Sequence, residues 1–182
     1  KVFCISQAAA DEAISRGVAK EKTQIIPLGI VDEYALARSA ARELIKNELH
    51  VDVESYKLLL TTGRLVKRKV VAWFIENALP DLIKTLPNAL YLVVGDGEDR
   101  KRIERAVDQN HMEKHVRMLG KVSDELLIAL YKGSDIFVMP NIPVPGDVEG
   151  FGRVVIEASA AELPVVAGGI ETPRGRAKLD LG

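Results

Sequence analysis

The chain has 182 residues, of which 47% are hydrophobic and 28% are charged, a composition typical of one globular domain and not of a disordered polypeptide. Its 25 basic and 26 acidic residues leave a net charge of −1, which argues against a dedicated nucleic-acid-binding protein. Cys4 is the only cysteine, so the chain can form neither an internal disulfide nor a cysteine zinc site, and we expect a reducing, cytoplasmic environment.

Short apolar runs alternate with longer amphipathic ones, which predicts strands that alternate with helices. The chain opens with a predicted strand at residues 2–6 and a helix over 8–16 that stops at Gly17. A second short strand is predicted at 23–27, and the stretch from about 33 to 49, rich in Ala, Leu and Glu, predicts a helix. Because the chain opens on a strand and lacks an initiator methionine, we expect it to be a piece of a longer protein.

From residue 57 onward, five predicted strands alternate with helices. The strands are expected at residues 57–62, 89–94, 116–119, 135–139 and 164–167. The helices between them are expected at residues 70–86, 98–109, 124–131 and 151–161. Pro80 is expected to kink the first of these helices, and Ser123 is expected to cap the third. The segment after residue 169 has little apolar content and is expected to be an exposed end.

Strands that are apolar on both faces predict a parallel sheet covered by helices on each side. Right-handed crossovers make such a sheet doubly wound, so the predicted fold class is α/β with a Rossmann-like sheet. Ligands of these sheets bind at the carboxyl ends of the strands. The residues that directly follow the strands are therefore the first candidates for a site, together with the Pro- and Gly-rich loop at 140–150.

The run from Glu149 to Glu157 is the strongest candidate for a binding site. It joins a carboxylate in the loop, two glycines that allow close approach to a ligand, and a second carboxylate inside the next predicted helix. The start of that helix offers N–H groups and the positive end of a dipole to a phosphate, while Glu157 suits a ribose diol. Taken alone, each glutamate is better explained as a solvated surface residue, but the run as a whole favours function.

A basic segment from Gly63 to Lys69 directly follows the strand at 57–62 and carries four cations. Arg64 suits two-pronged contact with phosphate oxygens, and Lys69 suits contact as a point charge. For Lys67 and Arg68, a solvated turn before the next helix is the preferred interpretation.

The glycines of Gly95-Asp96-Gly97 follow the strand at 89–94 and resemble part of a dinucleotide fingerprint, although Arg100 takes the place of its last glycine. By itself this motif is weak evidence for a binding site, because a tight turn between strand and helix would explain both glycines. No metal site is predicted, because the three histidines have no other metal-binding residues at a suitable spacing.

Taken together, these motifs resemble the carboxyl-terminal, donor-binding domain of retaining glycosyltransferases of the GT-B fold, family 4 (glycosyl transferases group 1). The resemblance runs from about residue 2 to residue 167. It rests on the two glutamates of an E-x7-E signature, a G-R-L followed by K-x-K, a V-G-D-G turn and two strands, located at Glu149 and Glu157, 63–65 with 67–69, 94–97, 135–140 and 163–167.

The resemblance implies roles for individual residues. Arg64 and Lys69 would hold the diphosphate of a nucleotide sugar and stabilise the departing nucleoside diphosphate, while Glu149 would contact hydroxyls of the donor sugar. Glu157 would bind the ribose hydroxyls, and the base would pass along 117–122. Further donor contacts are implied for Gly63, Gly95, Gly97, Arg117, Lys121, Phe151, Gly152 and Arg153. The family usually needs no metal, and we expect no cofactor besides the donor substrate.

The resemblance also implies a partner domain. Residues 1–30 are expected to be the end of an amino-terminal domain and its linker, and 31–182 the nucleotide-sugar-binding domain. The rest of the amino-terminal domain would supply the site for an acceptor, a saccharide or a lipid, and would be the route to any membrane association. One departure is Val70, which stands where the family usually has a glycine.

Two alternatives stay open from the sequence. One is a non-catalytic Rossmann-like module that serves as a scaffold or regulatory subunit. The other is a different enzyme of the GT-B fold, such as a nucleotide-sugar epimerase.

Overall fold

The computed structural model describes residues 1–26, 29, 35–142 and 152–168, together with the backbone of two short strands near the end of the chain. Those strands, β8 (Glu171–Thr172) and β9 (Gly175–Arg176), form an antiparallel pair in a segment for which we predicted no strand. No helix in the described part of the chain is long and apolar enough to cross a membrane.

The first 25 residues form a small unit of their own. Strand β1 (Val2–Cys4) pairs in parallel with β2 (Thr23–Ile25), and helix α1 (Gln7–Ser15) connects them. Helix α1 begins where it does because the Ser6 side chain accepts a hydrogen bond from the backbone N–H of Ala9. The predicted strands and helix are confirmed within one or two residues, and the division into domains at residue 30 stays a prediction.

The main sheet contains five strands, all parallel, in the order β5-β4-β3-β6-β7. Their bounds are β3 Lys57–Thr62, β4 Ala89–Val94, β5 Val116–Gly120, β6 Ile136–Met139 and β7 Val165–Ala167. The chain adds strands to one side of β3 and then returns to add β6 and β7 on its other side. This order confirms the predicted Rossmann-like, doubly wound sheet, whose switch point lies between β3 and β6.

The helices lie in the predicted intervals. They are α2 Arg38–Leu49, α3 Val71–Trp73, a π-helical turn Phe74–Ala78, α4 Leu79–Thr85, α5 Arg100–Gln109, α6 Asp124–Gly133 and α7 Arg153–Ala160. The predicted cap of α6 is confirmed, since the Ser123 side chain accepts from the N–H of Leu126. The predicted start of α2 at residue 33 was wrong: Ala37 is extended, and 30–34 lie outside the described residues.

The predicted interruption at Pro80 takes the form of a π-helical turn. Pro80 lies at the start of α4, where its missing N–H costs little, and the wider turn precedes it directly. The N–H of Leu79 donates to the carbonyl of Phe74, five residues earlier, so the helix continues through the proline instead of ending there.

Two apolar layers cover the sheet. Leu58 and Leu60 of β3 face a layer that contains α2, α6 and α7, whereas Leu59 between them faces a layer that contains α3, α4 and α5. This division follows from the alternation of side chains along a strand. Because both faces are buried, β4 is apolar along its whole length, and β3 has three consecutive leucines between Lys57 and its two threonines.

A polar network lies at the amino edge of the main sheet, where strands β3 to β7 begin. The buried guanidinium of Arg42 on α2 donates to the Glu54 carboxylate at 3.0 Å and to the Gly133 carbonyl at 2.9 Å. It also donates to the backbone carbonyls of Val53 and Tyr56. Beside it, Asp135 accepts from the N–H of Leu58 at 2.8 Å and from Arg38 at 2.8 Å. The network ties α2 to the start of two neighbouring strands.

Candidate functional site

A cleft of about 520 Å³ opens at the carboxyl edge of the sheet, where the strands end. Its lining comes from the ends of three neighbouring strands, β3, β4 and β5, and consists of Gly63, Arg64, Gly95, Asp96, Gly97 and Lys121. Five of these six are site residues proposed from the sequence, so the structure brings that part of the prediction together in one place.

The glycines of the cleft are required by close contact between two loops. A methyl group at Gly95 would lie 1.9 Å from the Gly63 carbonyl oxygen, and one at Gly97 would lie 2.2 Å from the Leu65 carbonyl oxygen. The loops are also hydrogen-bonded, because the N–H of Leu65 donates to the Asp96 carbonyl at 3.0 Å. Loop packing therefore explains both glycines without a ligand, and the floor of the cleft is bare backbone.

Three cations stand around this floor. Arg64 and Lys121 are exposed and line the cleft, and no described residue forms an ion pair or a side-chain hydrogen bond with either of them. Lys69 is only 5% exposed, and its Nζ lies 3.5 Å from the position that a methyl carbon would take at Gly63. The buried ammonium thus reaches the end of β3, and the three positive charges face one small volume that suits an anion.

The only carboxylate that lines the cleft, among the described residues, is already engaged. Asp96 Oδ1 accepts from the N–H of Gly97 at 2.8 Å and lies 3.8 Å from Nη1 of Arg100. Glu104 holds Arg100 in place with a hydrogen bond of 2.8 Å, and this contact raises the pKa of the guanidinium, which stays charged. The positive potential of the three cations is therefore not cancelled by Asp96.

Glu157 on α7 is held by two side chains. Its Oε2 accepts from the hydroxyl of Tyr131 at 2.8 Å, and its Oε1 accepts from Nε of Arg153 at 3.2 Å. The Glu157 side chain is 16% exposed, so the alternative of a freely solvated surface residue is wrong. Behind it, the Tyr131 hydroxyl lies 2.6 Å from the Thr62 hydroxyl at the end of β3.

Sequence reasoning missed Tyr131 and Thr62. Tyr131 lies in α6, whose pattern explains it as a core residue, and it is indeed fully buried. The one available signal was a pair of threonines after three apolar residues at the end of a strand, since a buried hydroxyl needs a hydrogen-bond partner.

Helix α7 begins next to this cluster. Gly152, at its N-cap, has a left-handed conformation with φ of 61°, and Val154 of its first turn lies about 4.0 Å from the methyl position at Gly63. The N–H groups of the helix start are therefore near the end of β3. Arg153 is exposed and turned onto Glu157, while Glu149 and Phe151 lie outside the described residues.

Arg117 is a described candidate whose side chain points away from the cleft, whereas Gly152, Arg153 and Glu157 do not line the cleft but belong to the helix that begins near the end of β3. It is the second residue of β5, and its guanidinium donates back to the carbonyls of Glu113 and Val116 at the amino end of the strand. The carboxyl end of β5 is three residues further on, about 10 Å away at 3.3 Å per residue.

A family model for glycosyl transferases group 1 matches residues 42–177, about three quarters of the chain. The chain belongs to this family. It is 34% identical over 113 residues to a GDP-mannose-dependent phosphatidylinositol monomannoside mannosyltransferase of Corynebacterium glutamicum, in a match that covers 61% of the chain and 29% of that protein. It is 27% identical over 117 residues to the GtfA subunit of a UDP-N-acetylglucosamine–peptide N-acetylglucosaminyltransferase of Streptococcus agalactiae, covering 64% and 21%.

Solved glycosyltransferase structures share the fold. The Anabaena protein HepE in complex with UDP-glucose superposes with a TM-score of 0.72 at 25% identity, over 92% of this chain and 45% of that one. WaaG, a glycosyltransferase involved in lipopolysaccharide biosynthesis, superposes with a TM-score of 0.73 at 26% identity, over 92% and 44%. The chain thus has the fold of one half of a GT-B glycosyltransferase, and it spans under half the length of the proteins that it matches.

Proposed function

We propose that this chain is the nucleotide-sugar-binding half of a retaining glycosyltransferase of family 4, and that the complete protein transfers the sugar to a saccharide or lipid acceptor. The observation that carries the proposal is the cluster of Arg64, Lys69 and Lys121 around a cleft whose floor is bare backbone. The carboxylate of Glu157 is linked to the same end of β3 through the hydroxyls of Tyr131 and Thr62. Cations beside a carboxylate match the two unlike parts of a nucleotide, its phosphates and its ribose.

The charges suit the leaving group of the reaction. When a sugar leaves its nucleotide donor, negative charge accumulates on the diphosphate, and cations fixed in advance stabilise that charge without rearranging. Arg64 offers a planar fork of donors, whereas the buried Lys69 offers a point charge of restricted mobility. The start of α7, an eight-residue helix near Gly63, adds the positive end of a dipole. With these groups the diphosphate needs no divalent metal.

The remaining roles follow from the family resemblance. Glu149 and Phe151 would contact the donor sugar and the diphosphate, respectively. Glu157 would accept hydrogen bonds from the ribose hydroxyls. The acceptor site would be provided by an amino-terminal domain, and the protein would work in the cytoplasm, at the membrane surface where the acceptor is a lipid.

Relatives support a nucleotide sugar as the ligand. One similar protein is GDP-mannose-dependent, another uses UDP-N-acetylglucosamine, and the Anabaena structure holds UDP-glucose. They differ in the base and in the sugar, so the choice of donor is left to experiment.

Calorimetric titration of the 182-residue chain with UDP, GDP and ADP, in the presence of EDTA, tests the proposal. We expect one of the three to bind, and Arg64→Ala to weaken it by about 10- to 100-fold, the value of a charged hydrogen-bonded contact. Lys46→Ala, an exposed cation on α2, is the matched control and should leave the affinity unchanged. Equal weakening by both variants, or no binding of any nucleotide, would favour the non-catalytic module instead.

A further inference from the structure

Strand β3 ends in two threonines whose side chains point to opposite faces of the sheet. Thr61 meets the hydroxyl of Tyr91 at 2.7 Å on one face, and Thr62 meets the hydroxyl of Tyr131 at 2.6 Å on the other. Only the second pair continues outward, because the Tyr131 hydroxyl lies 2.8 Å from Oε2 of Glu157. The result is a chain of three polar groups from the end of β3 to α7.

The proton positions in this chain follow from the chemistry of its members. An ionised carboxylate only accepts hydrogen bonds, so the single proton of the Tyr131 hydroxyl is donated to Glu157. The Thr62 hydroxyl must then donate to the oxygen of Tyr131. A hydrogen bond to a carboxylate is stronger than one between neutral groups, and donation by Thr62 polarises the phenol and strengthens it further.

Tyr131 provides a rigid anchor for a carboxylate that is otherwise loosely held. Its ring is fully buried and stacks on Phe137 with centroids 5.8 Å apart. The other partner of Glu157, Arg153, has a side chain that is 64% exposed, so it restrains the carboxylate weakly. The carboxylate accepts up to about four hydrogen bonds, and these two contacts leave room for two hydroxyls of a ligand.

We propose that Tyr131 is a positioning residue for ribose recognition: its hydroxyl, supported by Thr62, fixes Glu157 in the orientation that accepts the two hydroxyls of the nucleotide ribose. The inference rests on the proposed function, since it takes the ligand to be a nucleotide. Thr62 directly precedes Gly63 and Arg64, so the same strand end holds the proposed phosphate contact and the anchor of the ribose contact. The buried end of β3 thereby determines the distance between the phosphate contact at Arg64 and the ribose contact at Glu157.

The molecule contains a matched control for this inference. Tyr91 is also fully buried, its ring packs on Phe74 with centroids 5.0 Å apart, and its hydroxyl bonds to Thr61. Burial raises the pKa of the Tyr91 phenol, and the hydrogen bond with Thr61 opposes this in part. Tyr91→Phe therefore removes a buried hydroxyl from the same strand end, on the face of the sheet away from Glu157.

The test compares a nucleotide with its 2′,3′-dideoxy analogue, for the base that the wild-type chain binds. We expect the wild type to prefer the ribonucleotide by about tenfold or more. Tyr131→Phe should weaken the ribonucleotide by about three- to tenfold and leave the affinity for the dideoxy analogue within twofold, which reduces the preference. Tyr91→Phe should leave the preference intact. The melting temperature shows whether Tyr131→Phe still folds. If it does not, Thr62→Val tests the same hydrogen-bond chain, and we expect it to reduce the preference for the ribonucleotide by a smaller factor.

The outcomes separate the two proposals. A wild type that prefers the ribonucleotide, with the same preference in Tyr131→Phe and Thr62→Val, overturns the positioning role and leaves the proposed function standing. A wild type that binds nucleotide without any ribose preference overturns the role of Glu157 and the inference with it, while diphosphate binding stands. A wild type that binds no nucleotide overturns both proposals.

Discussion

The two edges of the main sheet use charge in opposite ways. At the amino edge, Arg42 is buried and spreads its donors over a carboxylate and three backbone carbonyls, next to the equally engaged Asp135. At the carboxyl edge, Arg64 and Lys121 stand in the cleft with no partner among the described residues. The guanidinium of Arg42 thus stabilises the fold at the amino edge, whereas the guanidinium of Arg64 is available to bind an anion at the carboxyl edge.

The difference shows which charges are available for a ligand. The donors of Arg42 are already used by a carboxylate and three backbone carbonyls, and removing the partners of a buried charge costs several kcal/mol, so Arg42 is committed to the fold. An exposed cation stays solvated at little cost, and several of them near one point create a positive potential that a ligand can neutralise. The comparison therefore predicts large stability effects at one edge and large binding effects at the other.

Arg42→Ala should have the largest effect. The substitution leaves three backbone carbonyls and the Glu54 carboxylate without the donor that they share, and it removes the ion pair with Asp135 at 3.6 Å. We expect the free energy of unfolding to fall by about 3–5 kcal/mol. Denaturant unfolding followed by circular dichroism measures it. Arg38→Ala removes a guanidinium that is 51% exposed from the same carboxylate, and should cost no more than about 1 kcal/mol. Equal losses of unfolding free energy in the two variants would mean that the burial of an arginine at this edge does not determine how much it stabilises the fold.

Gly95→Ala should damage both stability and binding. Its methyl group would collide with the Gly63 carbonyl oxygen, and its φ of 123° is unfavourable for alanine, so we expect a loss of about 2–4 kcal/mol and a weaker nucleotide affinity. Gly17→Ala is the control, because Gly17 also has a positive φ, of 98°, but no atom within 4 Å of the added methyl. A similar loss at Gly17 would assign the effect to backbone conformation and not to the contact between the loops.

Lys121→Ala should affect binding alone. Because no described residue pairs with Lys121, the free energy of unfolding should stay within about 0.5 kcal/mol of the wild type. Nucleotide affinity should fall by about three- to tenfold in low salt, and by less in 0.5 M salt, where exposed charges are screened. Calorimetry at two salt concentrations checks this. A loss that is independent of salt would show that the side chain acts by packing and not by charge.

Val70→Gly should have the smallest effect, in the stabilising direction. Val70 has a left-handed backbone, with φ of 40° and ψ of 35°, between the basic turn at Lys67–Lys69 and α3. A β-branched residue rarely adopts this conformation, so glycine should raise the free energy of unfolding by about 0.5–1 kcal/mol. Val70→Ala, which keeps a Cβ, should gain less. A destabilised glycine variant would mean that the half-buried valine side chain contributes more through packing than its backbone costs.

Strand positions were predictable where local rules suffice. Strands β3 and β4 have the predicted bounds, because each contains an apolar run and is followed directly by a glycine. The start of α6 was predicted from Ser123, which caps it. The start of α2 was not, because Ala37 provides no side-chain cap, and an Ala- and Glu-rich stretch gives no other boundary.

The candidate site was predictable in part. The rule that ligands bind at the carboxyl ends of parallel strands selected the residues that line the cleft. That rule selected Gly120 and Lys121 at the end of β5, whereas Arg117 was a candidate only through the family resemblance. The side chain of Arg117 turns to the amino end of its short strand, away from the cleft.

By itself, the sequence determined the succession of strands and helices, the parallel sheet and the placement of cations and glycines directly after the strands, since these depend on residue type and on spacing along the chain. Only the tertiary structure decided which distant groups meet. Position 95 must be a glycine because the backbone of another loop occupies the space that a side chain would take. The carboxylate of Glu157 is fixed by the Tyr131 hydroxyl, which is itself hydrogen-bonded to Thr62, 69 residues earlier in the chain. Such contacts depend on how the crossovers bring strands side by side, and no local periodicity encodes them.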